Sequence, residues 1–181
     1  MDSSAHPVSV RRPEGAQAEG RFSEELAAVA ATARRRAARG GDRAVDTAHL
    51  LHSLLESDPQ VRAYLGGGGP RTAKLLAYLA QRWIGYGLRW RDAVEVRPLP
   101  RGGRARTGML LPGWSPAAAG AVGVAMERAE ARGALRVEGV DLLAGLVADS
   151  GCRAAEVLRN AGAGMEELSA LLAVGGAGRQ G

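Results

Sequence analysis

A single offset organises this chain. Phe22-Ser23 returns as Trp114-Ser115, 92 residues later (114 − 22). The same shift carries Ala30 onto Val122, Ala33 onto Ala125, Ala37 onto Ala129, Gly41 onto Gly133, Val45 onto Val137, Leu50-Leu51 onto Leu142-Leu143 and Leu54 onto Leu146. One register for so many positions means a duplicated unit, and a unit repeated this way buries its apolar face against its copy. With 46% hydrophobic residues, only 4% aromatics and no long β-branched run, the units read as helices punctuated by glycine. The expected fold is all-α, two four-helix units and about eight helices.

Local signals place the helices. Ser23 is a good N-cap and is followed by Glu24 and Glu25, whose charge suits the start of a helix. In the second copy Ser115 precedes Pro116, the favoured first helical residue. Leu26, Val29, Ala30, Ala33 and Ala37 then share a face, as do Ala118, Ala121, Val122, Ala125 and Ala129. Such small side chains let neighbouring helices approach closely. Gly40-Gly41 and Gly133 close these helices, and the next ones open at Asp46-Thr47 and near Glu138-Gly139. Leu50-Leu51 with Leu54-Leu55, and Leu142-Leu143 with Leu146-Val147, have the spacing of a fully packed helix. Third helices are expected from Pro59 to Leu65 and from about Cys152 to Leu158, where the register slips by one. A fourth runs from about Pro70 through Leu75, Leu76, Leu79 and Trp83, matched by Met165, Leu168, Leu171 and Leu172.

Five segments follow. Residues 1–20 mix Ser, Pro, Gly, Arg and Glu and bury too little to offset their ordering entropy, so a disordered arm is expected. The first repeat is assigned to 21–84, an inter-repeat loop to 85–113, the second repeat to 114–174 and a flexible glycine-rich tail to 175–181. In the loop, alternating Val94 and Val96, Pro98, Pro100 and Gly102-Gly103 fit a mobile loop or a small β-hairpin equally.

Charge and cysteine usage narrow the function classes. The net charge is +5, with one arginine cluster at Arg34, Arg35, Arg36, Arg39 and Arg43 and another at Arg82, Arg89, Arg91, Arg97, Arg101, Arg104 and Arg106. Clustered cations release counterions from nucleic acid, but no recognition helix or stacking motif accompanies them, and a solvated face with a basic loop is the favoured reading. Lys74 is the only lysine. Cys152 is the single cysteine and has no internal disulfide partner. No signal peptide or membrane helix is legible at the start, which makes a soluble cytoplasmic protein the expectation.

The repeat resembles a known family, the double repeat at the N-terminus of the Clp ATPases ClpA, ClpB and ClpC. The family opening F-T-x-x-A is similar to Phe22-Ser23-Glu24-Glu25-Leu26, repeated as Trp114-Ser115-Pro116-Ala117-Ala118. The family's second-helix motif G-T-E-H-L-L-x-x-L resembles Asp46-Thr47-Ala48-His49-Leu50-Leu51-His52-Ser53-Leu54, with a weaker copy from Glu138 to Leu146. The resemblance spans about Arg21 to Val174. It implies a compact pseudo-twofold bundle of about eight helices, a double Clp N-domain repeat, that binds substrates, adaptors or degradation tags for a Clp protease, with no cofactor. The ATPase motif is not in this sequence: Gly66-Gly67-Gly68-Gly69-Pro70-Arg71-Thr72 lacks the lysine of a phosphate-binding loop.

The resemblance also implies sites. In ClpC-like members the motif glutamates serve phosphoarginine recognition, but Ala48 and Val140 stand in those places, so that reading is expected to be lost. The family's inter-repeat groove accepts peptides and, in ClpC proteins, cyclic peptide antibiotics. Its candidate residues here are Phe22, Trp114, Arg21, Arg34 and Ala119. Trp114 fits either a ligand anchor or a core side chain. His49 and His52 lie three apart with no third ligand, which favours capping or packing over a metal. No catalytic residues are assigned: Cys152 has only Arg153 beside it, and Glu127, Glu130, Glu166 and Glu167 read as helix-surface groups. The expected activity is that of a non-enzymatic adaptor, regulator or decoy for a Clp ATPase, with a basic nucleic-acid-associated protein as the alternative.

Overall fold

The computed structural model describes residues 18–66, 69–81, 94–95 and 111–177. Within them lie eight helices: α1 Glu24–Gly40, α2 Thr47–Ser57, α3 Pro59–Tyr64, α4 Pro70–Gln81, α5 Pro116–Ala131, α6 Gly139–Ala148, α7 Arg153–Asn160 and α8 Met165–Ala177. The architecture among the described residues is therefore all-α, four helices to each copy of the repeat. Most of the arm before Ala18, Trp83, the second arginine cluster, most of the inter-repeat loop and the end of the tail lie outside the described residues.

Each helix begins where its sequence signal stands. The Ser23 hydroxyl accepts from the Leu26 amide at 3.1 Å, and Ser115 accepts from Ala118 at the same distance. Gly41 and Gly133 both follow the first helix of their copy at φ +70°, a left-handed conformation that glycine adopts without strain. Asp46 closes a reciprocal cap at the head of α2: its carboxylate accepts from the His49 amide at 2.9 Å, and His49 Nδ1 accepts from the Asp46 amide at 3.1 Å.

The two copies are interleaved. Within a copy, α1 packs on α2 and α5 on α6; between copies, α3 packs on α6 and α7 on α2. The central α2 also contacts α5 and α6, so the four leucines Leu50, Leu51, Leu54 and Leu55 are all fully enclosed. Leu142, Leu143 and Leu146 are buried in the same way on α6. Each such leucine contributes roughly 1.5–3 kcal/mol relative to exposure. Backbones of α5 and α6 approach closely at Gly145 on α6, where a methyl group would stand 2.1 Å from the Ala121 carbonyl oxygen.

Two short parallel bridges stitch the copies together, Phe22 with Val137 and Val45 with Trp114. Their hydrogen bonds repeat: the Ser23 amide donates to Val137 at 2.9 Å and the Val137 amide to Arg21 at 2.8 Å. In the other bridge the Ser115 amide donates to Val45 at 2.8 Å and the Val45 amide to Gly113 at 2.8 Å. Every partner maps onto its counterpart by the 92-residue shift (113 − 21, 137 − 45), so the opening of each copy is clipped to the turn of the other. This exchange of equivalent partners is the pseudo-twofold relation expressed in backbone bonds.

Candidate functional site

The bridges bring the sequence-selected residues to two equivalent seams. Phe22 is 4% exposed and Trp114 7%, and both belong to the continuous apolar core. Ala119, one turn into α5, is buried as well. At the Trp114 seam the Arg34 guanidinium lies 5.4 Å from the indole centroid, a cation–π contact between α1 of one copy and the opening of the other. Arg34 is also paired with Glu19 and stays 41% exposed at its side chain. The indole Nε1 is buried and finds no acceptor among the described residues. At the Phe22 seam, Arg21 accepts from Val137 through its carbonyl and pairs through its side chain with Glu130 at 2.5 Å. Arg136 reaches across to the Gly20 carbonyl at 2.9 Å. Ahead of this seam Ala18, at the end of the expected arm, is buried, and its carbonyl accepts from the Arg21 amide at 3.1 Å.

The seams thus combine enclosed aromatic rings with cationic side chains at the surface. A guanidinium seated over the indole and paired with Glu19 is positioned by both contacts, and its N–H groups are donors for a carboxylate or peptide carbonyl.

The histidines have structural surroundings. His49 Nε2 lies 3.1 Å from Asp42, tying the head of α2 to the turn after α1. In the second copy Asp141 takes the position of His49 and pairs with Arg132 at 2.5 Å and Arg128 at 3.3 Å, tying the head of α6 to the end of α5. His52 contacts Glu56 at 3.2 Å beside Arg36. Burial first, and then the charge of Arg36, lowers its pKa from 6.5 to about 4, so the ring is neutral at neutral pH. Among the described residues no group of three His, Cys, Asp or Glu side chains could hold a metal ion. Cys152 caps α7, accepting from the Ala155 amide at 3.4 Å and donating to the Leu146 carbonyl at 3.3 Å. Burial pushes its thiol up from the usual range, which disfavours the thiolate that nucleophilic chemistry needs. The motif positions Ala48 and Val140 are buried and half-buried, apolar in both copies.

One buried carboxylate escaped the sequence reading. Glu95 is 6% exposed and accepts four hydrogen bonds. They come from the Thr47 amide at 2.9 Å, the Thr47 hydroxyl at 2.5 Å, the Ser115 hydroxyl at 3.0 Å and the Arg153 amide at 2.7 Å. Its only sequence signal was an acid between Val94 and Val96 in an arginine-rich stretch.

No protein-family model matches the chain, and no curated protein matches it. Among solved structures, the N-terminal domain of the caseinolytic-protease-associated chaperone ClpD from Arabidopsis thaliana is similar at 21% identity and a TM-score of 0.58. That match covers 88% of this chain and 96% of the ClpD chain. A structure from preliminary investigations of a malarial protein secretion system matches at 15% identity and a TM-score of 0.62, covering 89% of this chain and 98% of the other. The fold is that of a Clp N-terminal domain. Among the described residues no helix is long and apolar enough to cross a membrane.

Proposed function

We propose that this chain is a non-enzymatic module that binds proteins or peptides for a Clp protease ATPase in the cytoplasm, as adaptor, regulator or decoy. The observation that carries the reading is the fold itself, aligned over nearly nine-tenths of the chain with the ClpD N-terminal domain. The seam at Trp114 is the proposed docking region: the half-exposed Arg34 guanidinium, seated over the buried indole, reads a carbonyl or carboxylate. Arg21 is the matching proposed contact at the equivalent Phe22 seam, with Phe22 and Ala119 buried at the two openings, and the proposed ligands are Clp substrates or Clp-directed peptides, cyclic peptide antibiotics among them. With Ala48 and Val140 in place of acids, the module does not read phosphoarginine through those positions.

The test is affinity capture from cytoplasmic extract with the whole chain and with Arg34→Glu. Arg34 is half-exposed, and the substitution gives up its contacts with Glu19 and the indole, so it is expected to cost about 1–2 kcal/mol, which thermal unfolding measures separately from capture. Wild type should enrich a Clp component or a Clp-directed peptide, Arg34→Glu should retain about tenfold less, and capture should change little between low and physiological salt. Absence of any Clp component contradicts the proposal. Capture of nucleic acid that collapses steeply with salt would replace it with the phosphate-binding alternative.

A further inference from the structure

The four donors around Glu95 come from separate parts of the fold. Thr47 opens α2, Ser115 caps α5 and Arg153 opens α7. Both hydroxyls are anchored from behind, Thr47 accepting from the Ala154 amide at 3.0 Å and Ser115 from the Ala118 amide at 3.1 Å, so their protons are aimed at the carboxylate. Preset donors of this kind at helix starts favour an anion over a neutral group.

The other copy shows the same requirement met differently. There the N-cap of α3 is Asp58, whose carboxylate accepts from the Gln60 and Val61 amides at 2.8 and 3.1 Å and lies against Gly139, the first residue of α6. The equivalent cap of α7 is Cys152, a weak acceptor, and the carboxylate beside the first residue of α2 is supplied instead by Glu95. One half carries its acid within the helix turn; the other takes it from the inter-repeat segment.

We propose that the Thr47–Ser115–Arg153 cradle is a carboxylate-binding site that the chain fills with its own Glu95, so that an outside acidic side chain of a peptide enters only by displacing it. The site does not depend on a Clp partner. It makes Glu95 an internal competitor and a clasp between the inter-repeat segment and both copies.

The test uses formate as probe, titrated against chloride at constant ionic strength, with the amide signals of Thr47 and Arg153 followed by NMR. In Glu95→Ala these two amides should shift saturably, with an affinity for formate at least about tenfold above that of wild type, and adding Thr47→Val should remove the response. No saturable shift in folded Glu95→Ala, or an equal one in wild type, overturns the proposal. Should Glu95→Ala be unfolded in chloride, recovery of its helical circular dichroism in formate supports the site, and absence of recovery refutes it.

Discussion

Trp114→Ala is expected to destabilise the fold by about 3–5 kcal/mol, because it empties an aromatic position that is 7% exposed within the common core. The loss has two further parts. Arg34 forfeits the ring it lies over, and the Val45–Trp114 bridge loses the buried ring carried by one of its two residues. Trp114→Phe should cost far less, since the first copy already uses Phe22 at the equivalent place, with an equivalent bridge to Val137. Thermal unfolding followed by circular dichroism separates the two variants. A Trp114→Ala protein melting within a few degrees of wild type would mean that the indole is not core. The same burial makes Trp114→Ala a poor probe of ligand binding, because lost capture could reflect unfolding; the half-exposed Arg34 is the cleaner position.

Gly145→Ala should destabilise by about 3 kcal/mol, the reverse of what helix propensity predicts. In an exposed helix interior, alanine for glycine gains up to about 1 kcal/mol. Here the added methyl would lie 2.1 Å from the Ala121 carbonyl oxygen and 2.9 Å from its carbon, both backbone atoms that cannot rotate away. Relief requires α5 and α6 to separate, and overpacking of this kind costs about 1–3 kcal/mol, the upper end applying where backbone meets backbone. For a chain of this size the melting temperature should fall by roughly 6–12 °C. An unchanged or raised melting temperature would show that the helices are not in contact there.

Much of this fold was legible because its determinants are local. Ser23, Ser115 and Asp46 cap the helices they precede, Gly41 and Gly133 end theirs, and Leu50-Leu51 and Leu142-Leu143 are buried as their spacing implies. The expected starts of the third helices fell within a residue of Pro59 and Arg153. A constant offset reveals a duplication but not which copy's turn meets which copy's opening; that exchange exists only once Val45 and Val137 have been carried across the interface. Glu95 was invisible for the same reason. Its four donors come from positions 20 to 58 residues away, and no local pattern brings them together. At Trp114 the sequence left ligand anchor and core side chain open, and the structure encloses the ring while leaving Arg34 at the surface.

Exchange of the two bridges between copies is the claim on which the seams, the docking region and the clasp all stand. Amide hydrogen exchange at Ser23, Val45, Ser115 and Val137 tests it directly, because each amide is bonded only through that exchange. All four should be protected to nearly the level of the α2 and α6 leucines; rapid exchange at either pair, with the helices still protected, would contradict the interleaved fold.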